Sequence, residues 1–208
     1  MMVEIKNLKK TYGGKTVVNI ENLRINAGET IGLVGNNGAG KTTLFRMLLD
    51  LIRPDAGMIM SKEINVAQND QWKNYTGSFL DEGFLIDYLT PEEYFVFIGS
   101  LQQQSVSHVM ENLQQFEEFF NNEILNSGKY IRDFSKGNQN KIGIAAAMMQ
   151  NPELLVLDEP FANLDPTTQI RLKTLLKTLK SGQQVTTLIS SHDLNHVTDV
   201  CNRIILME

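Results

Sequence analysis

A chain of 208 residues, 42 % hydrophobic and 21 % charged, is long enough for one packed core and too apolar for a disordered tail. Its net charge of −5, with no strongly basic stretch, argues against nucleic acid as a partner, and no run of about 18 uncharged apolar residues exists to cross a membrane. A lone cysteine, Cys201, excludes internal disulfides and any multi-cysteine metal site, and the opening MMVEIKNLKK lacks the apolar centre of a secretory signal, so a cytoplasmic chain is expected.

Val3, Ile5 and Leu8 lead to Gly13-Gly14, and Val17, Val18 and Ile20 follow, which predicts two strands joined by a glycine turn. A short strand over Thr30–Val34 runs into a glycine-rich loop. The helix predicted after that loop points Leu44, Met47, Leu48 and Leu51 inward and ends before Pro54. From about Tyr75 to Ile131 the chain is rich in Gln, Glu, Asn and Phe and reads as helices. Pro91 opens one of them, and Val109, Leu113, Phe116 and Phe120 fall at helical spacing. Lys141–Gln150 is predicted helical, Leu154–Leu157 a strand buried on both faces, and Thr167–Lys180 a helix with Ile170, Leu175, Leu176 and Leu179 inward. Val185–Ser190 and Ile204–Met207 complete the strands. The alternation predicts an α/β core with a helical insert.

Gly35-Asn36-Asn37-Gly38-Ala39-Gly40-Lys41-Thr42 fits the phosphate-loop pattern G-x-x-x-x-G-K-[ST], with the required strand before it and helix after it. Glycines let the backbone N–H groups close on phosphate oxygens, and the helix presents its positive N-terminus to the same anion. Lys41 has the reach for the β- and γ-phosphates, and Thr42 offers a hydroxyl to Mg²⁺. Leu154–Leu157 ends in Asp158-Glu159, two carboxylates at the carboxyl end of a buried strand, where open α/β sheets bind ligands. Asp158 there suits a Mg²⁺ site and Glu159 a general base for water.

After Glu159 come Asn163-Leu164-Asp165 and, later, a strand ending Ser190-Ser191-His192-Asp193; before it stands Phe134-Ser135-Lys136-Gly137-Asn138-Gln139. In this order the set resembles the ATP-binding cassette (ABC) ATPases along essentially the whole chain. The resemblance implies a P-loop NTPase core, an N-terminal antiparallel β subdomain, and an α-helical subdomain inserted at about 78–135, all within one ABC ATPase domain over 1–208. It implies ATP and Mg²⁺ as cofactors, with Tyr12 stacking on adenine and Gly35, Asn36, Asn37, Gly38, Ala39, Gly40, Lys41, Thr42 and Thr43 holding the phosphates. Lys41, Glu159 and His192 become the catalytic set, with His192 contacting the γ-phosphate. Asp165 ends a loop that crosses the dimer interface. Ser135 and Gly137 face the ATP of a second cassette.

Three departures from the family pattern stand out. In the signature segment, Phe134, Lys136 and Asn138 replace Leu, Gly and Gln; Lys136 is either a further charge near that phosphate or an ordinary surface lysine. At the edge of the insert, where the family carries a metal-contacting glutamine, this chain has Asp81-Glu82. Counting back from Leu89-Thr90 favours Asp81, with Glu82 one register away and Gln68 too early. The last predicted strand ends the chain, as in a minimal or shortened cassette. His108 and His196 match no motif and are expected at the surface, and Cys201 as a buried filler. The function implied is the ATP-hydrolysing subunit of a transporter, exporter-like. It would pair with itself or a paralogous cassette on binding ATP and drive separate transmembrane permease subunits from the inner membrane face. The alternative is a soluble ABC ATPase in cofactor assembly.

Overall fold

The computed structural model describes the backbone of residues 1–208 and the side chains of all but 180–183. Strand β1 (Val3–Tyr12) and strand β2 (Lys15–Ile25) pair antiparallel through Gly13-Gly14. Both glycines have positive φ, 54° and 81°, as a tight two-residue hairpin turn of this hand requires. The pairing slips near the tip: Lys10 faces Val18 but Thr11 faces Thr16, so Val17 is an extra, bulged residue. Strand β4 (Ala56–Ser61) adds to the other edge of β1, and β5 (Ile64–Asn65) completes a four-stranded sheet in the order β2-β1-β4-β5. The sequence reading assigns nothing between Pro54 and Tyr75. In β4 only Ile59 and Ser61 are buried, too thin a pattern to announce a strand.

The second sheet is parallel. Its order is β6 (Thr76–Phe79), β7 (Leu154–Leu157), β8 (Thr186–Ser191), β3 (Thr30–Val34), β9 (Arg203–Leu206). Strands β3, β7 and β8 are buried at every position, as parallel strands covered on both faces must be. Strand β6 corrects the sequence reading, in which the helical stretch begins near Tyr75: Thr76–Phe79 belongs to the core sheet, and the helices follow it.

Helix α1 (Lys41–Leu48) leaves the phosphate loop. It stops before Leu51, which is exposed rather than inward. Helix α2 (Pro91–Ser100) starts as expected at Pro91, under a capping box in which Thr90 and Glu93 satisfy each other's backbone N–H. Val109, Leu113, Phe116 and Phe120 are all buried, yet they sit in three pieces: α3 (Val106–Leu113), a 3-10 turn at Gln114–Phe116, and α4 (Glu117–Phe120). Phe120 centres their packing, with the rings of Phe95 and Phe116 each 5.9 Å away. Helix α5 (Lys136–Met148) is buried from Gln139 onward and lies against β6 so closely that a Cβ on Gly143 would sit 2.1 Å from the Phe79 ring. Helix α6 (Pro166–Gln183) buries Leu172, Leu176 and Leu179, while Ile170, expected inside, is 65 % exposed. Short helix α7 (Leu194–Val197) precedes β9.

His196 is half-buried rather than on the surface: its ring lies 5.2 Å from that of Phe161, and it reaches the Ser191 hydroxyl at 3.4 Å. His108 is exposed as expected. Cys201 is half-buried against the core, not fully inside.

Candidate active site

Strands β3, β7 and β8 run parallel, so their carboxyl ends meet at one edge of the sheet. β3 delivers the phosphate loop there, β7 delivers Asp158 and Glu159, and β8, between them, delivers Ser190 and His192. Gly40 caps α1 at φ 93°, a conformation open to glycine, and α1 has neither a side-chain cap nor an acidic residue in its first turn. Its leading N–H groups are therefore left for an anion. A Cβ on Gly40 would also lie 2.5 Å from the carbonyl oxygen of Val17, the bulged residue of β2, so the loop and the β1–β2 hairpin touch directly. Thr43 follows in the first turn of α1; Asn36, Asn37 and Gly38 are exposed along the loop, and Gly35 and Ala39 are half-buried.

Lys41 is 6 % exposed. Its ammonium donates to the carbonyls of Gly35 at 2.7 Å and Asn36 at 3.3 Å, and stands 3.4 Å from Glu159 Oε1. The Thr42 hydroxyl donates to Asp158 Oδ2, and the Ser190 hydroxyl to Asp158 Oδ1. Burial pushes the Asp158 carboxyl above its ordinary value, against the pull of these two hydroxyls. The Ser190 hydroxyl also accepts from the Glu159 backbone N–H at 2.8 Å, so one side chain orients both acidic residues. Glu159 itself is held at φ 46°, a strained left-handed conformation for a residue with a side chain. Its Oε2 meets His192 Nδ1 at 2.8 Å, and its Oε1 is buried without a hydrogen bond.

Of the residues expected from sequence, Lys41, Thr42, Asp158, Glu159 and His192 are thus in one contiguous group. Tyr12, 49 % exposed, stands at the tip of the hairpin that touches the loop. Asp81 ends β6's extension: its Oδ1 accepts from Gly83 N–H at 2.8 Å, and its Oδ2 lies 3.9 Å from Arg46 on α1. Glu82, one residue on, is turned away into a 2.6 Å ion pair with Lys136, which holds its carboxyl below the usual range. Ser135 caps α5 by accepting from Asn138 N–H at 3.2 Å, and a Cβ on Gly137 would lie 2.5 Å from the carbonyl oxygen of Asn163. Among the described residues, no hydrogen bond or ion pair joins Ser135 or Gly137 to the Lys41–Glu159 group. Asp165 caps α6, accepting from the N–H groups of Thr167 and Thr168.

The donor set suits a magnesium nucleotide. A threonine hydroxyl and a carboxylate share one spot, a buried ammonium rests on two loop carbonyls, and a carboxylate oxygen is buried without a hydrogen bond. Sequence reasoning missed Ser190, although the register Leu157↔Ile189 places it beside Asp158, and it missed Arg46.

Comparison with known proteins agrees with this geometry. The family model described as ABC transporter matches residues 18–162. An ABC transporter ATP-binding protein of Bacillus subtilis, YhaQ, itself uncharacterized, is 34 % identical over 207 residues, covering 100 % of this chain and 68 % of its own length. The bacitracin transport ATP-binding protein BcrA of Enterococcus faecalis is 33 % identical over 99 % of this chain and 66 % of its own. The chain spans about two thirds of the length of the curated relatives it matches. Among solved structures, a dimeric post-hydrolysis state of the cassette MJ0796, bound to ADP and Pi, superposes with a TM-score of 0.87 at 25 % identity, covering 100 % of this chain and 94 % of that one. A phosphate loop and an acidic strand end meeting at one sheet edge, a family model running through both, and relatives that match this chain along its whole length leave a single assignment: the chain belongs to the ABC transporter family.

Proposed function

We propose that this chain is the ATP-binding and hydrolysing subunit of a transporter, working through ATP-dependent pairing of two cassettes and driving a separate membrane permease. The observation that carries the hydrolytic part is the meeting of Lys41, Thr42, Asp158, Glu159 and His192 at one sheet edge. Lys41 leaves the carbonyls of Gly35 and Asn36 for the β- and γ-phosphates. Thr42 and Asp158 would hold Mg²⁺, which when bound offsets phosphate charge. Asp81 is the third metal-side group: Glu82 is engaged by Lys136, while Asp81 lies on the side of α1. Glu159 accepts the proton of the attacking water through its buried Oε1, and His192 fixes its other oxygen. Tyr12 receives the adenine, and Ser135 and Gly137 meet the nucleotide of the second cassette, a copy of this chain or a paralogue.

Relatives named for bacitracin transport and for sulfate/thiosulfate import support a transport role; in this reading the chain works at the cytoplasmic face of the membrane. No helix among the described residues is long and apolar enough to cross a membrane. A cleft of about 340 Å³ between the core and the inserted helices, lined by Leu49, Trp72, Phe79, Phe84, Leu85 and Tyr94 among others, is the docking place for it. Phe84, which lines that cleft, is 52 % exposed, and Tyr88, in the same insert, is 63 % exposed. Purifying the tagged chain in detergent from its own cells and identifying its companions by mass spectrometry tests the reading. A polytopic membrane protein in comparable amount is expected; soluble companions alone would overturn the transport role. Phe84→Asp should lose that companion while the isolated chain still turns over ATP, and normal assembly would refute the docking place.

A further inference from the structure

Tyr12 is the last residue of β1, and nothing in its own environment obliges it to face a nucleotide. Three features aim it. The Val17 bulge falls opposite Lys10–Thr11, and its carbonyl is the group packed against Gly40, which sets the hairpin tip beside the phosphate loop. Asp55, just before β4, then grips the two residues preceding Tyr12. Its Oδ2 accepts from the Thr11 N–H at 2.6 Å and its Oδ1 from the Lys10 ammonium at 2.9 Å. The same ammonium donates to the carbonyl of Arg53 at 2.8 Å, so Lys10 is anchored twice on one loop. Lys10 and Tyr12 are two residues apart on a strand and share a face, and the anchored ammonium stands over the Tyr12 ring, 5.4 Å from its centroid.

We propose that Lys10 and Asp55 are positioning residues for the nucleobase: together they hold the Tyr12 ring with one face closed by the Lys10 ammonium and the other presented to the base. The inference rests on the reading of Tyr12 as the base platform. The clamp reaches the base through Tyr12 alone and touches no phosphate ligand, so its effect is confined to ligands that carry a base. A purine or pyrimidine stacks on such a ring with little regard to its hydrogen-bonding edge, so the clamp serves ATP and GTP alike.

The test compares two ligands on the same protein: ATP, and inorganic tripolyphosphate, which has the phosphates without the base. In Lys10→Met the dissociation constant for ATP, measured by calorimetry, should rise about three- to tenfold, as should that for GTP, while that for tripolyphosphate stays within error. In turnover assays the KM for ATP should rise and kcat stay, and Lys10→Arg should restore the parent KM. Asp55→Asn should repeat the pattern more weakly. In a Tyr12→Leu background, Lys10→Met should have no further effect on ATP. Equal weakening of ATP and tripolyphosphate would mean that the clamp merely supports the fold, and the proposal falls. If Tyr12→Leu weakens ATP alone and Lys10→Met does not, the proposal falls while the platform survives. If Tyr12→Leu leaves ATP binding unchanged, the platform itself is wrong and the clamp goes with it.

Discussion

Glu159 carries a strained backbone, a histidine on one oxygen and an ammonium beside the other. Such a residue is placed for chemistry more than for stability. Glu159→Gln should retain ATP binding and lower phosphate release about 10²–10⁴-fold, the usual weight of a general base; turnover at the parent rate would remove Glu159 from that role. Ser190 works through both acids. Ser190→Ala leaves a buried Asp158 oxygen and the Glu159 N–H without their partner and should cost about 1–3 kcal/mol in a denaturant titration. Asp165 has its carboxyl held below the unfolded value of 3.8, chiefly by the Thr168 hydroxyl. A depressed carboxyl stabilises fully above the unfolded value, and the contribution fades as pH falls through the lower folded one. Asp165→Asn should therefore be less stable than the parent at neutral pH, with the gap closing in acid, as thermal melts across pH would read. The residues legible in the sequence are those whose chemistry is written within a few neighbours, such as Lys41-Thr42 and Asp158-Glu159. Ser190, Arg46, Lys10 and Asp55 were not legible, because each takes its meaning from a partner across a sheet or between elements.

Among the elements, the strands buried on both faces were the easiest to read. β7 (Leu154–Leu157) is a continuous hydrophobic run, and β3 and β8, which carry Thr30, Thr186, Thr187, Ser190 and Ser191, are marked by the apolar centres Ile31–Val34 and Leu188-Ile189. β4 and β6 escaped notice because glycine and serine interrupt them and because their partners, β1 and β7, lie far along the chain, and β5 because it is two residues long. On α6, Leu176 and Leu179 are buried as the sequence reading expects, while Leu172 is buried in place of Ile170, and an apolar residue outside that stripe costs little in water. The contact of β6 with α5 has the least slack. Gly143→Ala would drive a methyl into the Phe79 ring, and overpacking of this kind costs about 1–3 kcal/mol. For a chain of this size the melting temperature should then drop by about 2–12 °C; an unchanged melt would mean that α5 and β6 can slide apart freely.

At the scale of the molecule, the order of patterns implied an α/β core with a helical insert, and the separate antiparallel sheet was implied by the resemblance to the ABC ATPases. What the pattern could not supply is that β8 lies between the strand feeding the phosphate loop and the strand carrying the acids, so in the proposed mechanism a third element stands between nucleotide grip and water activation. In the Glu159→Gln protein, ATP should shift the gel-filtration and light-scattering mass from monomer to dimer, and ADP should not; a monomer under both nucleotides would refute pairing by identical copies. The contact between the Val17 carbonyl and Gly40 bears on how the molecule measures its ligand. Because the hairpin and the phosphate loop abut with no room for even a methyl group, the hairpin tip that carries the proposed base platform stands at a set interval from the cradle. A nucleotide laid along it has its base end and its first phosphates registered in advance. In the proposed mechanism, counting two phosphates from three is thereby left to the far end of the gauge, at Glu159 and His192, where one more phosphate either arrives or falls short.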